Sequence, residues 1–364
     1  MSTNHGETVM QKPISEIAEY IKNVLPANIP ETYGLKPMFE NIGEEENIRK
    51  GVAAFRDFLY LFCDRLISDG HLFVAPKKTK NPSDYPFLHN INNLLVDMGY
   101  YGRLNENVLM IDGIPLFTSQ KPKITGPKIM ECLRFLALCG FVFKGIDLEA
   151  KAFKIGGGPV EVTYPDNPIL LTGLKAMSAA DMELRKRRYS NDDNLLRCDY
   201  RLIKRESTDI IDVLKDYLHM LPERTQKTAL ELHQRYLAAG MTCAENIWMF
   251  NARIGYSYVK NSRKALSPRE VYDRRMWEFL FSLKHGNCLV VRAKKTDKYM
   301  DIIEKFPLAL QEKIVKGYGC DRLRRGEPCQ HGCQGILIPL DDSILNIKRD
   351  IETWLDYELE SYRK

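Results

Sequence analysis

"WEFLFSLKHGNCLVVRA", residues 277–293, decides the fold class. Two runs rich in aromatic and β-branched residues flank His285–Gly286, a dipeptide suited to a tight turn, so the stretch predicts an antiparallel hairpin. Upstream, "TCAENIWMFNARIGYSYV" (242–259) predicts further strands, and downstream "GILIPL" (335–340) predicts another. Helices come in blocks around these strands: "TDIIDVLKDYLHML" (208–221) and "ERTQKTALELHQRYLAAG" (223–240) before them, and "TDKYMDIIEKF" (296–306) and "PLALQEKIVKGYG" (307–319) after the hairpin. A final helix within "DDSILNIKRDIETWLDYELESY" (341–362) carries an apolar stripe of Ile344, Ile347, Ile351, Trp354 and Leu355. Asp341, Asp342 and Ser343 suit its N-terminus better than they suit paired-carboxylate chemistry. Strands and helices that segregate in this way predict an α+β fold with a largely antiparallel sheet packed with helices.

Working outward, three regions emerge. Residues 1–45 combine a helix, "ISEIAEYIKNVL" (14–25), with the proline- and glycine-broken "PANIPETYGLKP" (26–37), and read as an N-terminal arm. Residues 46–205 read as a mixed α/β domain. Its core helix shows apolar residues at helical spacing through Val52, Phe55, Phe58, Leu59, Phe62 and Leu66, with Gly70 as the stop. "FLHNINNLLVDMGYYG" (87–102) predicts a helix ended by Gly99, and "VLMIDGIPLF" (108–117) predicts a hairpin around Asp112–Gly113. A helix capped by Thr125 follows, then strands in "FVFKGIDL" (141–148) and "VEVTY" (160–164), with "GGG" (156–158) as a turn between them. The helix and strands at 125–165 resemble a winged helix short of one helix. A long helix, "PILLTGLKAMSAADMELRKRR" (168–188), then leads toward the boundary with the α+β domain at 206–364.

The totals bound the function. A length of 364 residues suggests two domains, and 44% hydrophobic residues supply enough apolar surface for ordinary folded cores. The charge of +5, from 53 basic against 48 acidic residues, neither demands nor excludes an anionic partner. No run approaches the ~18 apolar residues of a membrane span, and the start lacks a basic segment followed by an apolar one. The chain therefore reads as a soluble cytoplasmic protein with no membrane partner.

"LHQRYLAAGMTC" (232–243), "TDKYMDIIEKFPLALQEKIVKGYGC" (296–320) and "CQHGCQGILIPLDDSILNIKRDIETWL" (329–355) resemble a family of uncharacterised proteins of anaerobic Gram-positive bacteria. "YPDNPILLTGLKAM" (164–177) and "LLRCDYRLIK" (195–204) extend that resemblance into the preceding region. The order of elements in the C-terminal half is also similar to YdhG-like and MmcQ-like domains, whose fold resembles frataxin. The two resemblances imply kinship, and the second implies either iron handling or nucleic-acid binding.

The cysteines divide into two groups. Cys63, Cys132, Cys139, Cys198, Cys243 and Cys288 stand singly and read as free thiols of a reducing compartment. Cys320, Cys329 and Cys333 gather with His331 in "GCDRLRRGEPCQHGCQG" (319–335), whose glycines and proline allow tight turning. That set has the chemistry of a structural zinc site, although the spacing is not a paired C-x2-C repeat. A loop with free thiols and a Cys329–Cys333 redox pair stand beside it. Arg322, Arg324 and Arg325 in the same stretch, with the run Arg185, Lys186, Arg187 and Arg188, are the residues suited to phosphate contact. The run equally suits a solvated helix end.

No nucleotide-loop, metalloprotease, hydrolase-elbow or kinase motif appears in the sequence. His219 and His233 fall on amphipathic helices, and Trp248, Trp277 and Trp354 read as core anchors. The reading is a two-domain cytoplasmic binding or regulatory protein without catalytic activity, with nucleic acid as the first partner to test and a cysteine-rich loop suited to zinc. The competing class is an enzyme acting on a small molecule in an inter-domain cleft.

Overall fold

The computed structural model describes residues 9–75, 77–79, 85–112, 125–154, 158–188, 194–248, 251–259, 267–293, 295–316 and 335–364. The protein is α+β, with antiparallel sheets packed by helices. The chain divides into two compact units, Met1–Thr208 and Asp209–Lys364. In order, the first contains β1 (Val9–Met10), α1 (Ile14–Val24), α2 (Glu45–Asp69), β2 (Lys78–Thr79), α3 (Pro86–Tyr101), β3 (Arg103–Asn105), β4 (Val108–Ile111), α4 (Gly126–Leu138), β5 (Val142–Lys144), β6 (Val160–Thr163) and α5 (Leu170–Arg188).

Helix α5 is the hub of this unit, packing on both α2 and α3. Two glycines make the α2–α5 crossing close: a Cβ on Gly173 would fall 1.9 Å from the Gly51 carbonyl oxygen. At the α3–α5 contact a Cβ on Gly99 would lie 2.2 Å from Ser178 Oγ. Gly99 is therefore a packing position inside α3, not the predicted stop, and the helix continues to Tyr101. The segment read as an arm is built into the unit, with Ile17, Ile21, Leu25 and Leu35 fully buried and Leu35 bridged to Lys204.

The first sheet is ordered β3-β4-β6-β5. The hairpin joins β3 to β4 through a turn in which Glu106 takes φ 51°, and the other edge of β4 is filled by β6. Gly113 and the strand expected after it, 114–117, lie outside the described residues. Phe58 of α2 packs edge-on against Phe141, beside β5, and Phe62 against Phe135 of α4, which ties α2 to the sheet and to α4.

The second unit contains α6 (Ile210–Leu218), α7 (Glu223–Ala238), β7 (Thr242–Trp248), β8 (Asn251–Ser257), α8 (Pro268–Asp273), β9 (Trp277–Ser282), β10 (Gly286–Val291), α9 (Met300–Ile303), α10 (Leu308–Lys316), β11 (Ile336–Pro339), α11 (Ser343–Asn346) and α12 (Lys348–Arg363). Its sheet runs β11-β10-β9-β8-β7, antiparallel throughout. The β9–β10 hairpin turns as its sequence predicts, with Gly286 at φ 71° supplying the left-handed conformation. One face is aromatic. Tyr256 stacks on Trp277 at 3.7 Å, and Tyr236 of α7 meets Trp277 edge-on. Helices α7 and α12 are tied together by Arg235 and Tyr236, which both donate to Asp356. The predicted final helix is two helices, broken at Ile347.

Candidate functional site

A pocket of ~250 Å³ opens in the first unit where the β1–β2 ribbon meets the first turns of α3 and α4. The ribbon is closed by main-chain pairing and by Gln11, whose amide accepts from the Lys77 N–H at 3.0 Å. Phe73 and Phe87 line the pocket with ring centroids 6.0 Å apart, and Phe135 supports both rings edge-on at 5.1 and 5.6 Å. Such rings offer apolar faces against which a flat group can stack.

Lys77, Lys78 and Lys128 are exposed around the same pocket, with Glu131 as the acidic lining residue among those described. None of the three lysines forms an ion pair among the described residues. Both helix starts that frame the pocket lack a side-chain cap, including α4, where Thr125 holds the predicted cap position without making the bond. First-turn amides of this kind favour negative charge. Tyr85, just before α3, lines the pocket and is 4% exposed, and its hydroxyl has no hydrogen-bond partner among the described residues. Burial pushes that phenol up to about 12, so it remains a neutral donor. Together these groups can hold an anion attached to a ring.

No family model, curated protein or solved structure matches the chain. The site is therefore read from its own chemistry.

Of the residues expected from sequence, Arg185 and Lys186 are described and do not line this pocket. Cys320, Cys329, His331, Cys333, Arg322, Arg324 and Arg325 lie outside the described residues. Arg185 is largely buried and pairs with Asp181 at 2.6 Å, while Lys186 is exposed and pairs with Glu183. Arg187 and Arg188 close α5, and their side chains are outside the description. Among the described residues no group of three or more His, Cys, Asp or Glu is placed to hold a metal ion. The six singly placed cysteines are free, and all but Cys243 are buried. Among the described residues, no helix is long and apolar enough to cross a membrane.

Sequence reading missed Lys77, Lys78, Lys128, Phe73, Tyr85 and Phe87. The available signal was local: a lysine pair preceded by Phe73 and followed by the "DYPF" run, 84–87. Lys128 carried no signal, because its place beside the pair depends on α3 packing against α4.

The second unit concentrates charge differently. Glu278 on β9 is fully buried and accepts from Arg253 at 2.8 Å, Arg292 at 2.7 Å and Arg275 at 2.6 Å. On the opposite face, His233 is hydrogen-bonded through Nδ1 to the Tyr256 hydroxyl at 2.7 Å, and burial lowers its basicity. Tyr299 donates to the buried carboxylate of Glu358, which also accepts from the Lys295 N–H at 3.1 Å. These are interior networks of buried charged and aromatic groups.

Proposed function

We propose that the protein is a nucleic-acid-binding protein without catalytic activity, which takes one unpaired nucleotide of a single strand into the aromatic pocket of its first unit. The observation that carries this reading is the meeting of three lysines lacking ion-pair partners among the described residues with two phenylalanine rings. Stacking against the rings is tolerant of base identity, and the lysines at the mouth match the phosphates on either side. Asn90, at the pocket wall and nearly buried, offers an amide to a base edge.

Fluorescence anisotropy with a labelled single-stranded oligonucleotide, across a salt series, tests the proposal. For three phosphate contacts the slope of log affinity against log salt is about −2, and it falls close to zero in a Lys77→Ala/Lys78→Ala/Lys128→Ala variant. Phe73→Ala weakens binding about tenfold or more at unchanged slope. An absence of binding at ~100 μM protein, in a range where even non-specific complexes form, overturns the reading.

We further propose that stretch 319–335 holds a structural zinc ion, because three cysteines and one histidine gather there while the other six cysteines are dispersed thiols. Elemental analysis of reduced protein, repeated on Cys329→Ser/Cys333→Ser, is expected to show stoichiometric zinc and its loss. Metal-free wild type rejects the zinc.

A further inference from the structure

On another side of α4 lies a larger cavity, ~400 Å³, between that helix and residues 145–154 and 158–160. Its size falls in the usual range for small-molecule sites, and its wall is built rather than loose. Arg134 of α4 donates to the carbonyls of Leu148 and Ala150, both at 2.8 Å, and the Phe153 N–H returns to the Gly126 carbonyl at 3.0 Å. Glycine is required at two corners of this wall. Gly145 has φ 89°, and a Cβ on Gly126 would lie 2.9 Å from the Phe153 carbonyl oxygen.

The lining differs in kind from that of the nucleotide pocket. Met130, Ile146 and Val160 supply aliphatic and thioether surface, with Phe153 as the aromatic group among the described lining residues. Methionine beside branched aliphatic groups adapts to a flexible chain and lacks paired rings for stacking. Lys151 and Lys154 line the cavity as exposed residues, and neither makes an ion pair among the described residues. The acidic lining residue, Asp147, turns its Oδ1 to the Glu149 N–H at 3.0 Å. Apolar wall and cationic rim together are complementary to an amphipathic anion.

We infer that this cavity is a second ligand site, for a free carboxylate carried on a single alkyl chain, with the chain against Met130, Ile146 and Val160 and the carboxylate beside Lys151 and Lys154. The site goes beyond the nucleic-acid reading and shares none of its lining residues.

Isothermal titration of the full chain with octanoate, using 1-octanol as the neutral control, tests the inference. Octanoate is expected to saturate one site per chain, about tenfold more tightly than octanol, with most of that advantage lost in Lys151→Ala/Lys154→Ala. Ala150→Phe, which fills the mouth from a half-buried lining position, abolishes octanoate binding while the melting temperature and oligonucleotide affinity stay at wild-type values. Octanoate that fails to saturate up to ~10 mM, well above a millimolar dissociation constant, overturns the inference. So does equal binding of octanoate and octanol in wild type and the lysine variant, which would be partitioning into apolar surface. Oligonucleotide binding is read on the same samples, so failure here is separable from failure of the nucleic-acid reading.

Discussion

In the second unit three arginines surround one buried carboxylate, Glu278, whereas in the first unit three lysines stand around a pocket with only Glu131 lining it on the acidic side among the described residues. Residue type follows the surroundings. Planar guanidinium groups suit a fixed, desolvated carboxylate, while ammonium groups on flexible stems remain hydrated and adapt to a mobile phosphate. Burying the Glu278 cluster costs desolvation that good geometry must offset, so removing one member harms the fold. The exposed lysines incur little such cost. Their removal is expected to leave the fold intact.

The largest expected effect breaks the comparison on its structural side. Glu278→Ala leaves three buried or half-buried guanidinium groups without their shared acceptor, and a loss of about 3–5 kcal/mol is expected in urea titration. All three tryptophans, Trp248, Trp277 and Trp354, lie in the second unit, so their fluorescence reports its unfolding directly. A loss below ~1 kcal/mol, the scale of a surface pair, would mean that the cluster is not structural.

Next in size is Gly173→Ala. Its methyl group would meet the Gly51 carbonyl at the α2–α5 crossing, where both neighbours are backbone and cannot yield as a side chain can. A loss of about 3 kcal/mol is expected, at the upper end of overpacking costs, with far-UV circular dichroism as the measurement because the first unit has no tryptophan. Stability within ~0.5 kcal/mol of wild type would show that the helices part easily. On the functional side, the triple lysine variant is expected to stay within ~0.5 kcal/mol of wild type in the same assay, although its oligonucleotide salt slope collapses.

Elements dominated by local pattern were legible from sequence, and features set by tertiary packing were not. The His285–Gly286 hairpin and the stripe through Phe55, Phe58 and Phe62 follow from periodicity and one turn conformation. Gly99 misleads because a glycine that ends a helix and a glycine that lets another helix approach look the same in one dimension. The pairing of β4 with β3 and β6 was not legible because the partners at a strand's edges are unknown until the sheet is assembled. The break at Ile347 is hidden because the apolar stripe continues across it. Of the pocket beside the β1–β2 ribbon only the Lys77–Lys78 pair and its neighbouring aromatics were visible, since Lys128 joins them through packing 50 positions later.

The smallest effect is a pH dependence that should appear in the second unit. His233 is 2% exposed, and burial lowers its pKa below the ordinary value of 6.5, the nearby Asp209 opposing this only in part. As the pH falls below 6.5 the unfolded chain takes up a proton that the folded chain refuses, so stability declines until the lowered folded value is reached. The slope from this one group is at most ~1.4 kcal/mol per pH unit. His285, at the β9–β10 turn, is shifted the same way by burial and by the charges of Lys284 and Arg253, and adds to the decline over the same window. His233→Gln keeps a polar partner for the Tyr256 hydroxyl and removes the titration. It is expected to flatten the acid limb of the tryptophan-monitored stability below pH 6.5, leaving the part carried by His285. An acid limb that keeps its full slope in that variant would place the titrating group elsewhere in the unit and leave His233 as packing alone.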